Sequence, residues 1–92
     1  MSSLRVDPEI KKKIDDFIKM WSGATSEMEW CVGGSRPPKF REVEEMGRRA
    51  VEIYSEIENY FKSRGVEVPD HLRTKYEDVK KVLKYATERR CW

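Results

Sequence analysis

Residues 40–61 read FREVEEMGRRAVEIYSEIENYF, and the periodicity of this stretch decides the fold. Its apolar positions are Phe40, Val43, Met46, Ala50, Ile53, Tyr54, Ile57, Tyr60 and Phe61. They recur every three or four residues, which is the spacing of one face of a helix. At about 100° per residue they cover roughly 160° of its surface, wider than the ordinary stripe of about 100°. A face that wide needs cover from two sides. The stretch is therefore expected to be the central helix of a bundle, spanning about 39–64, with Glu42, Glu44 and Glu45 near its positive end and Gly65 as its C-cap.

Upstream, Asp7-Pro8-Glu9 is a helix start. Asp7 suits the cap, Pro8 the first helical position, and Glu9 the positive end of the dipole. Ile10, Ile14, Phe17, Trp21, Ala24, Met28 and Cys31 then follow at alternating intervals of four and three, an unbroken heptad-type seam. Ser22-Gly23 interrupts it, and such a pair can end a helix. An interior Gly costs only about 1 kcal/mol relative to Ala, and the seam stays in phase across it. One helix over about 8–32 is the preferred reading; a break near Trp21 with a short second helix from Thr25 to Cys31 is the alternative.

Gly33-Gly34-Ser35-Arg36-Pro37-Pro38 is the clearest break in the chain. Its glycines stop a helix, and each proline favours an extended residue before it. After Gly65, Val66-Glu67-Val68 reads as a short extended link, and Pro69-Asp70 opens a third helix expected over about 70–90. Its seam is Leu72, Tyr76, Val79, Leu83 and Ala86, with Val82 on one flank. The short connections predict an all-α, up-down-up antiparallel three-helix bundle formed as one domain over 1–92, which pairs into a helical dimer.

Ninety-two residues allow one modest core. Charged residues make up 39%, against about 25% in an average domain. Gln is absent and Asn occurs once, at Asn59. Abundant Lys, Arg and Glu with few amides is the pattern of thermophile proteins. The net charge of +2 is far below that of a DNA-coating protein. No apolar run reaches the roughly 20 residues needed to span a bilayer, and Met1 to Val6 has no signal-peptide core. A cytoplasmic protein without membrane contact is expected.

Cys31 and Cys91 fall at the ends of helices one and three, so the predicted bundle places both at the same end, next to Trp30 and Trp92. Two separate thiols are the plainer reading and a disulfide the sharper one. Two Cys and one His do not make a four-ligand zinc site, and no metal or other cofactor is implied. His71, the sole histidine, follows Asp70 in a first turn, where surface placement is expected. No catalytic residue is nominated: neither Cys has a catalytic signature, and nothing in the sequence places a nucleophile beside His71.

Three patterns carry the functional readings. Trp30, Val82, Tyr85 and Trp92 leave the predicted seams or end the chain, and exposed aromatic and apolar residues mark contact surfaces. They support a non-enzymatic scaffold acting through helix faces, with a second copy or another protein as partner. Arg36 and Lys39 sit where a glycine-containing loop enters a helix, and Lys80 and Lys84 share one side of helix three. These four support contact with nucleic-acid phosphates, although Glu77 and Glu88 lie close to the stripe. The loop is not a P-loop, since it lacks the Gly-Lys-Ser/Thr ending.

Glu42 and Glu45 form E-x-x-E, and Glu56 to Asn59 a loose E-x-x-N. This resembles the paired acidic motifs, E-x-x-E and E-x-x-D, with which the all-α nucleotide pyrophosphatases hold magnesium. The resemblance implies a metal-dependent nucleotide hydrolase as a third reading. Here the motifs are fourteen residues apart on one helix, about 21 Å along its axis. A second subunit would have to supply the missing ligands, and Asn59 stands where the family has Asp.

Overall fold

The computed structural model describes residues 7–33 and 38–91, leaving out the side chains of Trp30 and Val32. Three helices are packed together: α1, Pro8–Gly33; α2, Phe40–Ser63; and α3, Asp70–Thr87. The central stretch is helical throughout and packs against both other helices, which also touch each other. Its residues Val43, Ala50, Ile53, Tyr54, Ile57 and Phe61 are all buried.

The side-chain pairings fix the register. Lys13 of α1 pairs with Glu56 of α2, Gly23 faces Met46, and Glu27 accepts the Lys39 N–H at 2.9 Å. Between α2 and α3, Tyr54 stacks on Tyr76 with centroids 4.0 Å apart, Gly47 faces Leu83, and Glu44 meets Arg89. Between α1 and α3, the Trp21 indole N–H donates to Asp78 at 3.2 Å, with the Lys75 ammonium 4.8 Å from the ring centroid.

Helix α1 runs without a break through Ser22-Gly23. Packing explains the glycine. A Cβ at position 23 would lie 2.9 Å from the Met46 sulfur, so the missing side chain lets α2 come close. Gly47 does the same between α2 and α3, where a Cβ would lie 3.2 Å from both Cβ and Cδ1 of Leu83.

Two expectations for α3 are corrected. The helix stops at Thr87 rather than near Arg90. Arg89 takes a left-handed conformation, φ 58°, and the Arg89 and Arg90 N–H groups bond back to Ala86 and Tyr85 at 3.0 and 2.9 Å. This is a Schellman ending. Helix α2 ends the same way at Gly65, φ 69°, with Val66 N–H on the Phe61 carbonyl. Gly65 adopts that conformation without strain; Arg89 does so at a cost of about 1 kcal/mol.

The buried line of α3 is also turned by about one residue. Leu72, Val79, Val82 and Ala86 are fully buried, while Tyr76 and Leu83 are half-buried. Val82 is core, packed with Ala24, Met28, Val43 and Ala86, and so does not face a second copy as expected. Helix α3 meets α1 as well as α2, through Lys75 and Asp78 on the α1 side. The middle of its buried face therefore lies between the two contacts rather than on the α2 side alone.

Gly23 and Gly47 separate two packing outcomes. Gly→Ala in a helix interior gains about 1 kcal/mol of propensity. At position 23 the crowded atom belongs to a flexible, half-buried Met that can swing away. At position 47 the crowding reaches the Leu83 Cβ, next to the α3 backbone, and overpacking costs about 1–3 kcal/mol. In urea titrations G23A is expected to match or exceed the parent in stability, whereas G47A loses about 1 kcal/mol.

Candidate functional site

The residues with the most interactions converge where α3 ends beside the start of α2. Glu44, on the first turns of α2, is only 9% exposed. Its carboxylate accepts from the Arg89 guanidinium, and lies 3.4 Å from Arg48 Nη2 and 3.4 Å from the Thr87 hydroxyl. Arg89 also donates to the Ala86 carbonyl at 2.9 Å and lies 5.9 Å from the Phe40 ring centroid. The Arg89 hydrogen bond, aided by the charges of Arg89 and Arg48, holds the Glu44 carboxyl below the usual glutamate range against the opposing effect of burial. Arg89 thus offsets its backbone strain with a charge-assisted contact to Glu44.

Just beyond, Cys91 comes up to Cys31 with the Cα atoms 5.7 Å apart, across a sequence separation of 60. Disulfides span about 4.4–6.8 Å between Cα atoms, so the pair stands at bridging distance. The bundle brings together the two cysteines that the sequence placed at one end. Closing so long a loop contributes about 2–4 kcal/mol.

Of the proposed phosphate contacts that are described, Lys39 and Lys80 stand apart and each has an acid beside it. Lys39 is 3.8 Å from Glu42, and Lys80 is 3.3 Å from Glu77 with its ammonium 4.9 Å from the Tyr76 ring centroid. Arg73, on the same side of α3, pairs with Asp70 and stands 3.8 Å from Glu67. Lys84 forms no ion pair among the described residues. Arg36 lies outside the described residues. By helical rise, the pairing of Gly47 with Leu83 puts Lys80 about 16 Å along the axis from Lys39.

Of the proposed contact residues, Tyr85 is half-buried with the Arg90 guanidinium 5.4 Å from its ring centroid, and Val82 is core. Trp92 and the side chain of Trp30 lie outside the described residues. His71 is exposed in the first turn of α3. Among the described residues no three His, Cys, Asp or Glu side chains are grouped to hold an ion; Glu42 and Glu56 are each bound to a lysine. A shallow depression between Tyr54, Glu58, Lys62, Val68 and Arg73 offers both signs of charge and favours no one ligand.

Glu44 and Arg89 are the residues that sequence reasoning missed. Glu44 reads as one of three acids favouring a helix N-terminus. The usable signal is its position one turn from Phe40 and three residues before Gly47, on the edge of the apolar stripe. No family model, curated protein or solved structure matches this chain.

Glu44 sets a pH dependence. Its folded-state carboxyl titrates below the unfolded value, so its contribution is complete above about 4.3 and is lost as pH falls through the folded value. E44Q is expected to melt below the parent at pH 7. The two melting temperatures then converge as the pH is lowered beneath about 4; a constant gap would assign Glu44 a role other than charge.

Proposed function

We propose that this chain is a non-enzymatic contact module, an up-down-up three-helix bundle that works through an outer helix face. The pairing of early with late residues, Lys13 with Glu56 and Glu27 with Lys39 on one side, Tyr54 with Tyr76 and Glu44 with Arg89 on the other, supports that path of the chain. The wide face of α2 is covered by its own chain. A second copy is therefore not needed for the reason the sequence suggests.

The observation that carries the reading is a row of incompletely covered apolar side chains along the seam of α2 and α3. Leu83 crosses Gly47, Tyr76 lies on Tyr54, and Val51 is one turn from both Gly47 and Tyr54; Leu83, Val51 and Tyr76 are each half-buried. Four residues that a phosphate or metal reading would use, Lys39, Lys80, Glu42 and Glu56, stand instead in ion pairs within this chain. The phosphate-binding alternative keeps Lys84 as its best described residue.

A homodimer through this row is the form tested first. Light scattering coupled to size exclusion is expected to give twice the chain mass at micromolar concentration. L83E is expected to give the single mass with unchanged helical circular dichroism. A single mass for the parent at all concentrations overturns self-pairing. Binding of DNA or RNA that weakens steeply with salt and is lost in K84E would favour the phosphate reading instead.

A further inference from the structure

The two ends of the bundle are not equally built. One contains Phe17, Tyr54, Ile57, Phe61, Leu72 and Val79, with Tyr76 stacked on Tyr54 and Phe17 5.4 Å from it. The other is a separate cluster of Ala24, Met28, Val43, Val82 and Ala86, in which two of the five buried side chains are single methyl groups, with Phe40, Met46 and Tyr85 partly buried against it. Small side chains bury little apolar area, so this second end has less hydrophobic burial to hold it closed. It is also the end where Cys31 and Cys91 meet.

The cysteines occupy a place where a crosslink matters. Past Thr87 the chain turns through the left-handed Arg89, and the returning segment carries only Glu88 to Cys91 among the described residues. It is held by the Arg89–Glu44 contact, three backbone hydrogen bonds, the Arg89 side-chain bond to the Ala86 carbonyl and the cysteine pair. Cys91 is exposed and Cys31 partly so, within reach of a thiol from solution.

We propose that Cys31 and Cys91 form a redox-operated clasp. Oxidised, it pins the returning segment and keeps the thin end packed. Reduced, it frees residues 88–91 and loosens the ends of α1 and α3 around Met28, Val82 and Ala86, while the aromatic end stays folded. The reductant is a dithiol. Its thiolate attacks the exposed Cys91 Sγ, the Sγ–Sγ bond breaks, and Cys31 leaves as a thiolate that takes up a proton. The second thiol of the reductant then resolves the mixed disulfide and releases Cys91. Two electrons and two protons pass to the protein, and the reductant becomes a disulfide. This inference is independent of the contact reading above.

Amide hydrogen exchange read by mass spectrometry tests it on the full chain. The samples are the air-oxidised protein, the same protein with dithiothreitol, and C31S/C91S. The oxidised protein is expected to be two hydrogens lighter than the reduced one and to remain monomeric in its covalent mass. Reduction is expected to speed exchange about tenfold or more in residues 24–33 and 82–91, with residues 50–61 unchanged. C31S/C91S should match the reduced protein and ignore dithiothreitol. Failure to form an intramolecular bridge on oxidation overturns the proposal. So does reduction that leaves exchange unaltered or raises it equally along all three helices.

Discussion

Burial of the α2 stripe from both sides is the constraint on which the structure depends. Val43, Ala50, Ile57 and Phe61 are at most 2% exposed, and they are reached by α1 on one side and α3 on the other. Each large buried side chain contributes about 1.5–3 kcal/mol, and a domain retains a net stability of only about 5–15 kcal/mol. The many ion pairs on the outside weigh far less. Pairs such as Lys12 with Asp16 or Lys80 with Glu77 join exposed groups, and such pairs contribute about 0–1 kcal/mol each. They set which helix surfaces face water, while the apolar stripe sets the fold.

Sharing one stripe between two partners forces compromises in side-chain size. Where α2 and α3 must approach closely, the side chain is absent, as at Gly47. Where the core turns to smaller side chains such as Ala24 and Ala86, less apolar area is buried per residue, and polar contacts and the cysteine pair are found beside it. Glu44 is nearly buried there, and an isolated buried carboxylate would be costly. Two guanidinium groups and a hydroxyl remove that cost. The same contact fixes the chain reversal that carries Cys91 to Cys31. The aromatic end needs no such help, since Phe17, Tyr54 and Tyr76 pack ring on ring.

Local patterns were legible in the amino-acid order, and angular detail was not. The seam from Ile10 to Cys31 keeps its phase through Gly23, and it correctly implies one helix. The same logic misplaces Val82 because two nearly equivalent lines run along α3. Leu72-Tyr76-Val79-Leu83-Ala86 and Leu72-Lys75-Val79-Val82-Ala86 share every other member. Only the neighbouring helices choose between them, and Lys75, snorkelling over Trp21, hides the second line from a hydropathy count. The end of α3 was missed for a similar reason. Arg89 carries no turn signal, and the contact it makes from its left-handed turn is with Glu44, forty-five positions away. The nearness of the cysteines was legible because each falls at or just past a helix end, where the packed helices bring them together.

The functional reading rests on the same architecture, since an outer seam of Leu83, Val51 and Tyr76 exists only if α2 packs on α3 in this register. Replacing Ile57, which is fully buried in the second half of that shared stripe, addresses the claim most directly. Equilibrium urea unfolding of I57A, followed by circular dichroism and tyrosine fluorescence, is predicted to show a single coincident transition. The predicted loss is about 2–5 kcal/mol relative to the parent. A loss below about 0.5 kcal/mol, or helices that melt in separate steps, would contradict a common interior built on α2.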